Sequence, residues 1–202
     1  MLIDIHTHTK PWSGDSQITA DELIEAAKAT DLDGICLTEH VWFWDHDDVA
    51  ELSRKHGFLV LPGVEINTES GHFLVFGLTR YVVGMQSTSF LKELVEAANG
   101  AMLWAHPYRG RLASRNAGDD SLALLCHGIE VLNGRNTPAE DRFARSLQEK
   151  VRLPAAGGGD VHALQDVGLC ATEFESLVGD LGEFIAQLRA GRFHAVDLKK
   201  SK

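Results

Sequence analysis

Short apolar segments alternate with amphipathic ones along nearly the whole chain, and no other feature restricts the possible folds as much. Residues 2–5, 34–38, 58–61, 73–77, 102–105, 128–132, 153–156, 170–173 and 193–196 read as strands. Between them, amphipathic spacing predicts helices over 19–30, 47–56, 89–99, 121–126, 138–150 and 181–190. The first opens on a capping box, Thr19-Ala-Asp-Glu22, and the next two close near Gly57 and Gly100. Strands apolar on both faces and separated by helices imply βαβ units, hence a largely parallel sheet covered by helices. The 202 residues suffice for one domain, 1–202, with a sizeable core, and no repeat, low-complexity stretch or linker divides them.

A second regularity is superimposed on the first. Six of the ten histidines stand at or just past the ends of expected strands: His6, His8, His40, His72, His106 and His162. Asp15, Glu65 and Asp160 join the same set. Imidazoles and carboxylates together are the donors that Zn²⁺, Mn²⁺ or Fe²⁺ takes. In His6-Thr7-His8 and in Asp160-Val161-His162, period-two alternation puts both donors on one face. Three glycines before Asp160 let the backbone approach closely, Pro62-Gly63 permits a turn before Glu65, and Pro107 stops the ladder after His106. Each of these alone also describes a packed or capping residue. Repeated at one strand end after another, they read as a multinuclear metal site. Periodicity leaves an open sheet and a closed barrel undecided, but ligands following successive strands suit a ring of strand ends around one mouth. His46, His56, His127 and His194 lack this context and read as surface or capping residues.

Bulk properties narrow the functional classes. The net charge of −10 opposes wrapping of long nucleic acid, which requires a basic surface to displace counterions. A small anionic substrate stays compatible, because bound dications invert the local field. No apolar run is long enough to span a bilayer, and the chain begins directly on a strand. Cys36, Cys126 and Cys170 are odd in number, widely spaced and without a CxxC, which favours reduced core thiols and a cytoplasmic location.

The ordered motifs DxHxHT, TEH, GxE, GH, AHP, IEVLN and GGDVH, from Asp4 to His162, resemble the PHP (polymerase and histidinol phosphatase) family. The resemblance implies an α/β fold, a distorted TIM-like (β/α)₇ barrel with its metal site at the C-terminal ends of the strands. It also implies phosphoester hydrolysis by a metal-activated hydroxide at a trinuclear site of Zn, Mn or Fe. Carried over by position, one ion takes His6, His8, Glu65 and Asp160; a second takes Asp15, His40 and His162; a third takes Glu65, His72 and His106, with Glu65 bridging. TEH and GGDVH replace the commoner TDH and GSDAH, which gives Glu39 a role at the strand end or behind a ligand. Asp15 has competing roles such as capping, with Ser13 and Ser16 in the same loop.

Arginines and aromatics bear on the substrate. Arg109, Arg111 and Arg115 follow His106, and Arg135 follows IEVLNG; the guanidinium fork matches phosphate, and Arg109 and Arg135 are the candidate phosphate binders. Trp12, Trp42, Phe43 and Trp44 follow the first two metal motifs, where they either pack the loops or stack on a base. The expected activity is hydrolysis of a small phosphate ester. Its rivals are an exonuclease or nucleotide phosphatase acting on short nucleic acids and a non-catalytic, metal-stabilised binding module.

Overall fold

A computed structural model describes residues 1–110 and 120–199. Ten strands and five α-helices follow one another along it. They are β1 (Leu2–Thr7), α1 (Ala20–Lys28), β2 (Gly34–Leu37), α2 (His46–His56), β3 (Leu59–Pro62), β4 (Val64–Thr68) and β5 (Gly71–Phe76). Then come α3 (Thr88–Ala97), β6 (Ala101–Ala105), β7 (Gly128–Asn133), α4 (Pro138–Val151), β8 (Ala155–Gly158), β9 (Cys170–Phe174), α5 (Leu181–Ala190) and β10 (Phe193–Asp197).

Local chemistry explains the helix limits. Thr19 and Glu22 form the expected capping box at α1, and Thr137 and Glu140 form another at α4, with Pro138 in its first turn. Gly57 and Gly191 end α2 and α5 in the left-handed conformation. The segment read as a helix at 121–126 is a short 3₁₀ turn, Asp120–Leu125.

The strands form two five-stranded sheets, ordered β10-β9-β1-β2-β3 and β4-β5-β6-β7-β8. The expected (β/α)₇ barrel is not confirmed, and the expectation of a largely parallel sheet is corrected. Among the described residues the ladders do not close into one seven-stranded ring. The sheets are also mixed: β4-β5-β6 and β1-β9-β10 pair antiparallel, while β1-β2-β3 and β6-β7-β8 are parallel. A helix between two strands does not fix their direction, as β5-α3-β6 and β9-α5-β10 show. Strand β4 was not anticipated, because Pro62-Gly63 reads as a turn into a loop. Its hairpin to β5 turns at Glu69-Ser70, which carries none of the usual hairpin signals.

One apolar core cluster draws Ile3, Ile5 and Phe174 from the first sheet and Leu74, Phe76 and Leu103 from the second, together with Phe184 of α5. Two further clusters lie under the helices on the outer faces. The sheets are also tied by two isolated parallel bridges, Thr7 to Val161 and His40 to Glu65. Both bridges run through or beside the candidate ligands, so docking of the sheets assembles that region. Gly63 makes a close join: its N–H donates to the Leu37 carbonyl at 2.9 Å, and a Cβ there would lie 2.6 Å from the Phe76 ring and 2.9 Å from Thr38.

Gly63→Ala is therefore expected to lower stability by roughly 1–3 kcal/mol through overpacking. Chemical denaturation of both proteins checks this, and an unchanged midpoint would show that the seam has slack.

Candidate metal centre

Glu65, the second residue of β4, is 1% exposed and stands at the centre of the cluster. Its Oε2 faces His40 Nδ1 at 2.8 Å, His8 Nε2 at 3.4 Å and His6 Nε2 at 3.6 Å. On the other side, Oε1 accepts from His72 Nδ1 at 2.8 Å and His106 Nε2 at 3.1 Å. Asp160 Oδ1 completes the first group, 3.7 Å from His6 Nε2 and 3.4 Å from His8 Nε2. Asp15 Oδ2 lies 3.4 Å from His40 Nε2 and 3.1 Å from His162 Nε2. All nine expected ligand positions thus converge. Asp15 differs from the rest in being more than half exposed.

Strained backbone aims several of these groups. His106 (φ 27°) and Asp160 (φ 51°) lie in the left-handed region just past β6 and β8, and so does the β-branched Val41 (φ 53°), next to His40. Gly158 lets β8 pass against β1: a Cβ there would sit 2.5 Å from Glu130 Oε1 and 2.6 Å from His6 Cβ.

The hydrogen bonds behind the imidazoles set which nitrogen faces the centre. His6 Nδ1 donates to Glu130 Oε1 at 2.9 Å, and His162 Nδ1 donates to the Asp160 carbonyl at 2.8 Å. Ser13 Oγ donates to Glu39 Oε2 at 2.6 Å, so it accepts from His8 Nδ1 at 3.2 Å. In the neutral rings, the Nε2 lone pairs of His6 and His8 are left for another partner, while His162 Nε2 lies beside Asp15.

The charges compensate one another. Burial opposes ionisation of Glu65 and Asp160, yet the surrounding histidines, with Arg109 beside Asp160, hold both carboxyls well below the usual range. Burial also opposes protonation of His6, but Asp160, Glu130 and Glu65 outweigh it and raise its pKa well above the ordinary value. His8, buried with weaker compensation, falls to about 4.

The donors fit a divalent ion. Four donors about 2.1 Å from a tetrahedral ion stand about 3.4 Å apart. His6 Nε2 and His8 Nε2 each face both Glu65 Oε2 and Asp160 Oδ1 across 3.4–3.7 Å. His6 Nε2, His8 Nε2 and Glu65 Oε2 are buried without a hydrogen-bond partner, a costly arrangement unless something is bound there. Close groupings of donor atoms also join His8, His40 and His162; Glu65, His72 and His106; and His6, His106 and Glu130.

Seven of the nine positions and both candidate arginines line one cavity of about 340 Å³, with His6 and His8 fully buried beneath. Arg109 is held there by Asn136 Oδ1 at 3.0 Å, by Asn133 Oδ1 and by Asp160 Oδ2. Arg111 and Arg115 fall outside the described residues. The loop aromatics pack with the protein: Trp12 and Trp42 stack at 3.9 Å, Trp44 donates to Glu39 at 3.2 Å, and Phe43 joins a core cluster. None of the four lines the cavity. His56 bridges Asp21 and Glu25, His127 accepts from Met102 N, His194 pairs with Glu173, and His46 is exposed at the start of α2; none joins the cluster.

Three supporting residues escaped the sequence reading: Asp4, Glu130 and Asn133. Asp4 Oδ1 accepts from His6 N and Gly159 N, tying β1 to the loop after β8, and burial pushes its carboxyl up to about 7. A carboxylate inside an apolar strand was the available signal for Asp4 and Glu130, since such a group stays buried only when paired.

No curated protein matches the chain in sequence. Among solved structures, PsfC from Pseudomonas syringae PB-5123 aligns with a TM-score of 0.72 at 19% identity, over 99% of this chain and 92% of that one. A two-domain protein from Bacteroides vulgatus containing a predicted PHP-like metal-dependent phosphoesterase aligns with a TM-score of 0.73 at 21% identity, over 98% of this chain and 65% of that one. The lesion-specific endonuclease PfuEndoQ from Pyrococcus furiosus aligns with a TM-score of 0.64 at 13% identity, over 96% and 57%. At these identities the likeness is one of fold. The PHP-domain family model matches residues 4–182, and the chain belongs to the PHP-domain family.

Proposed function

We propose that this protein is a metal-dependent phosphoesterase acting on a small phosphate ester. One observation carries the reading: two buried imidazole nitrogens each face two buried carboxylate oxygens at ligand-to-ligand spacing, and three of these four atoms have no hydrogen-bond partner. His6, His8, Glu65 and Asp160 would hold one ion; Asp15, His40 and His162 a second; and His72, His106 and Glu65 a third. Zinc, manganese and iron all suit such mixed nitrogen and oxygen donors. When bound, dications lower the pKa of water toward neutrality and offset charge on phosphoryl oxygens.

The protein's own groups do the rest. Glu65 directs its two oxygens to opposite sides, which suits a carboxylate shared between neighbouring ions. Arg109, fixed by Asn133 and Asn136, turns one guanidinium nitrogen toward Asp160, where it can meet an anionic substrate oxygen. Arg135 lines the same cavity. Three dications exceed the charge of Asp15, Glu65 and Asp160, so the loaded pocket attracts phosphate within a chain of net charge −10. A cavity of about 340 Å³ is sized for a small molecule.

Cleavage of short nucleic acids is the second reading. The fold shared with a lesion-specific endonuclease favours it, and the acidic charge weighs against long substrates. A non-catalytic module is disfavoured because every expected ligand position holds a competent donor. Buried free thiols at Cys36, Cys126 and Cys170 support a cytoplasmic setting. Among the described residues, no helix is long and apolar enough to cross a membrane.

Phosphate release from mononucleotides, nucleoside bisphosphates, short RNA, histidinol phosphate and an aryl phosphate, with added Mn²⁺ or Zn²⁺, tests the proposal. His6→Ala and Asp160→Ala are expected to reduce turnover to background while circular dichroism stays near wild type. Near-normal turnover in both would refute the ligand assignment. Arg109→Ala is expected to raise KM by roughly ten- to a hundredfold, the loss of a charge-assisted hydrogen bond, with metal content retained. Unchanged KM and kcat would remove Arg109 from substrate binding.

A further inference from the structure

Glu130, in the middle of β7, is fully buried and belongs to none of the proposed ion-binding groups. Its Oε1 accepts from His6 Nδ1 at 2.9 Å. Its Oε2 accepts from the backbone N–H of His106 at 2.8 Å and from Asn133 Nδ2 at 3.0 Å. Asn133 in turn presents Oδ1 to Arg109 and, at 2.9 Å, to the backbone N–H of Arg135. One carboxylate therefore grips the ring of one expected ligand, the strained backbone of another, and the amide that steadies both arginines.

We propose that Glu130 is a positioning residue for the metal centre. By accepting from Nδ1 it holds the His6 ring with Nε2 facing Glu65 and Asp160, the nitrogen that would give its lone pair to a bound ion, and it fixes the φ 27° turn that brings His106 to Glu65. The site also excludes a bulkier neighbour, since any Cβ at Gly158 would strike Glu130 Oε1 at 2.5 Å. Only a carboxylate satisfies the place: three donors converge on it, whereas a glutamine offers one acceptor oxygen and turns an NH₂ toward the others. Carboxylates behind a ligating histidine fix its tautomer and strengthen it as a donor. The inference rests on the metal-binding part of the proposed function.

The test uses the full chain loaded with Zn²⁺ and dialysed against graded concentrations of a chelator, with zinc per chain measured by elemental analysis. Glu130→Gln is expected to release zinc at roughly 10–100-fold lower chelator concentration than wild type. Val95→Ala, which opens a cavity under α3 beside the start of β6, at the end of the strand opposite to His106, is expected to retain zinc as wild type does, which separates positioning from loss of stability. Zinc retention by a folded Glu130→Gln equal to that of wild type would overturn the proposal. If the wild type itself holds no zinc, the metal reading fails instead. A measurement on wild type alone covers the case of a variant that does not fold. Two-bond ¹H–¹⁵N spectra of the zinc-loaded protein are expected to show His6 protonated at Nδ1 and metal-coupled at Nε2; the opposite tautomer would overturn the proposal.

Discussion

The structure depends on a carboxylate kept charged where water cannot reach it. Glu65 is 1% exposed, and an ionised group so placed is tolerated only when compensating charge or donors surround it. Here four imidazoles do so: His6 and His40 around one oxygen, His72 and His106 around the other. Those histidines come from β1, the loop after β2, β5 and the loop after β6, so both sheets must dock before the charge is balanced. The bridges Thr7–Val161 and His40–Glu65 lie at that junction. Docking of the two sheets is thus what brings the centre together.

Around this centre the protein supplies a second layer of acceptors. Glu130 holds His6, Glu39 holds His8 through Ser13, and the Asp160 carbonyl holds His162. Each keeps a ring nitrogen occupied on the outer side and leaves the inner one available. Glu39 has further duties: it accepts from Thr9 N at 2.8 Å and from Trp44 Nε1 at 3.2 Å, binding the loops after β1 and β2 to each other. A glutamate reaches these donors from the end of β2, which accounts for the TEH sequence at that position. The tryptophans are thereby drawn into loop packing rather than toward the cavity.

Much of this was legible in the sequence because the signals were local. Period-two spacing placed His6 with His8, the glycines before Asp160 announced a close backbone approach, and Thr19 with Glu22 marked the start of α1. What depended on long-range pairing was not legible. Glu65 was read as standing just past the third strand, after a turn, whereas it lies in a separate β4 that turns back on β5 through a hairpin without a strong turn signature. Strand direction followed from a rule of thumb about intervening helices, and β5-α3-β6 departs from it. Glu130 and Asn133 stood in a recognised motif without a role, since their partners are up to 124 residues away in the chain.

The central claim is that the cluster around Glu65 holds divalent ions. Anomalous diffraction from crystals of the full chain, grown after loading with Zn²⁺ or Mn²⁺, tests it most directly. A peak is expected between His6, His8, Glu65 and Asp160, with further peaks beside His40 and His162 and beside His72 and His106. A folded, loaded protein whose anomalous map is empty at Glu65 would contradict it.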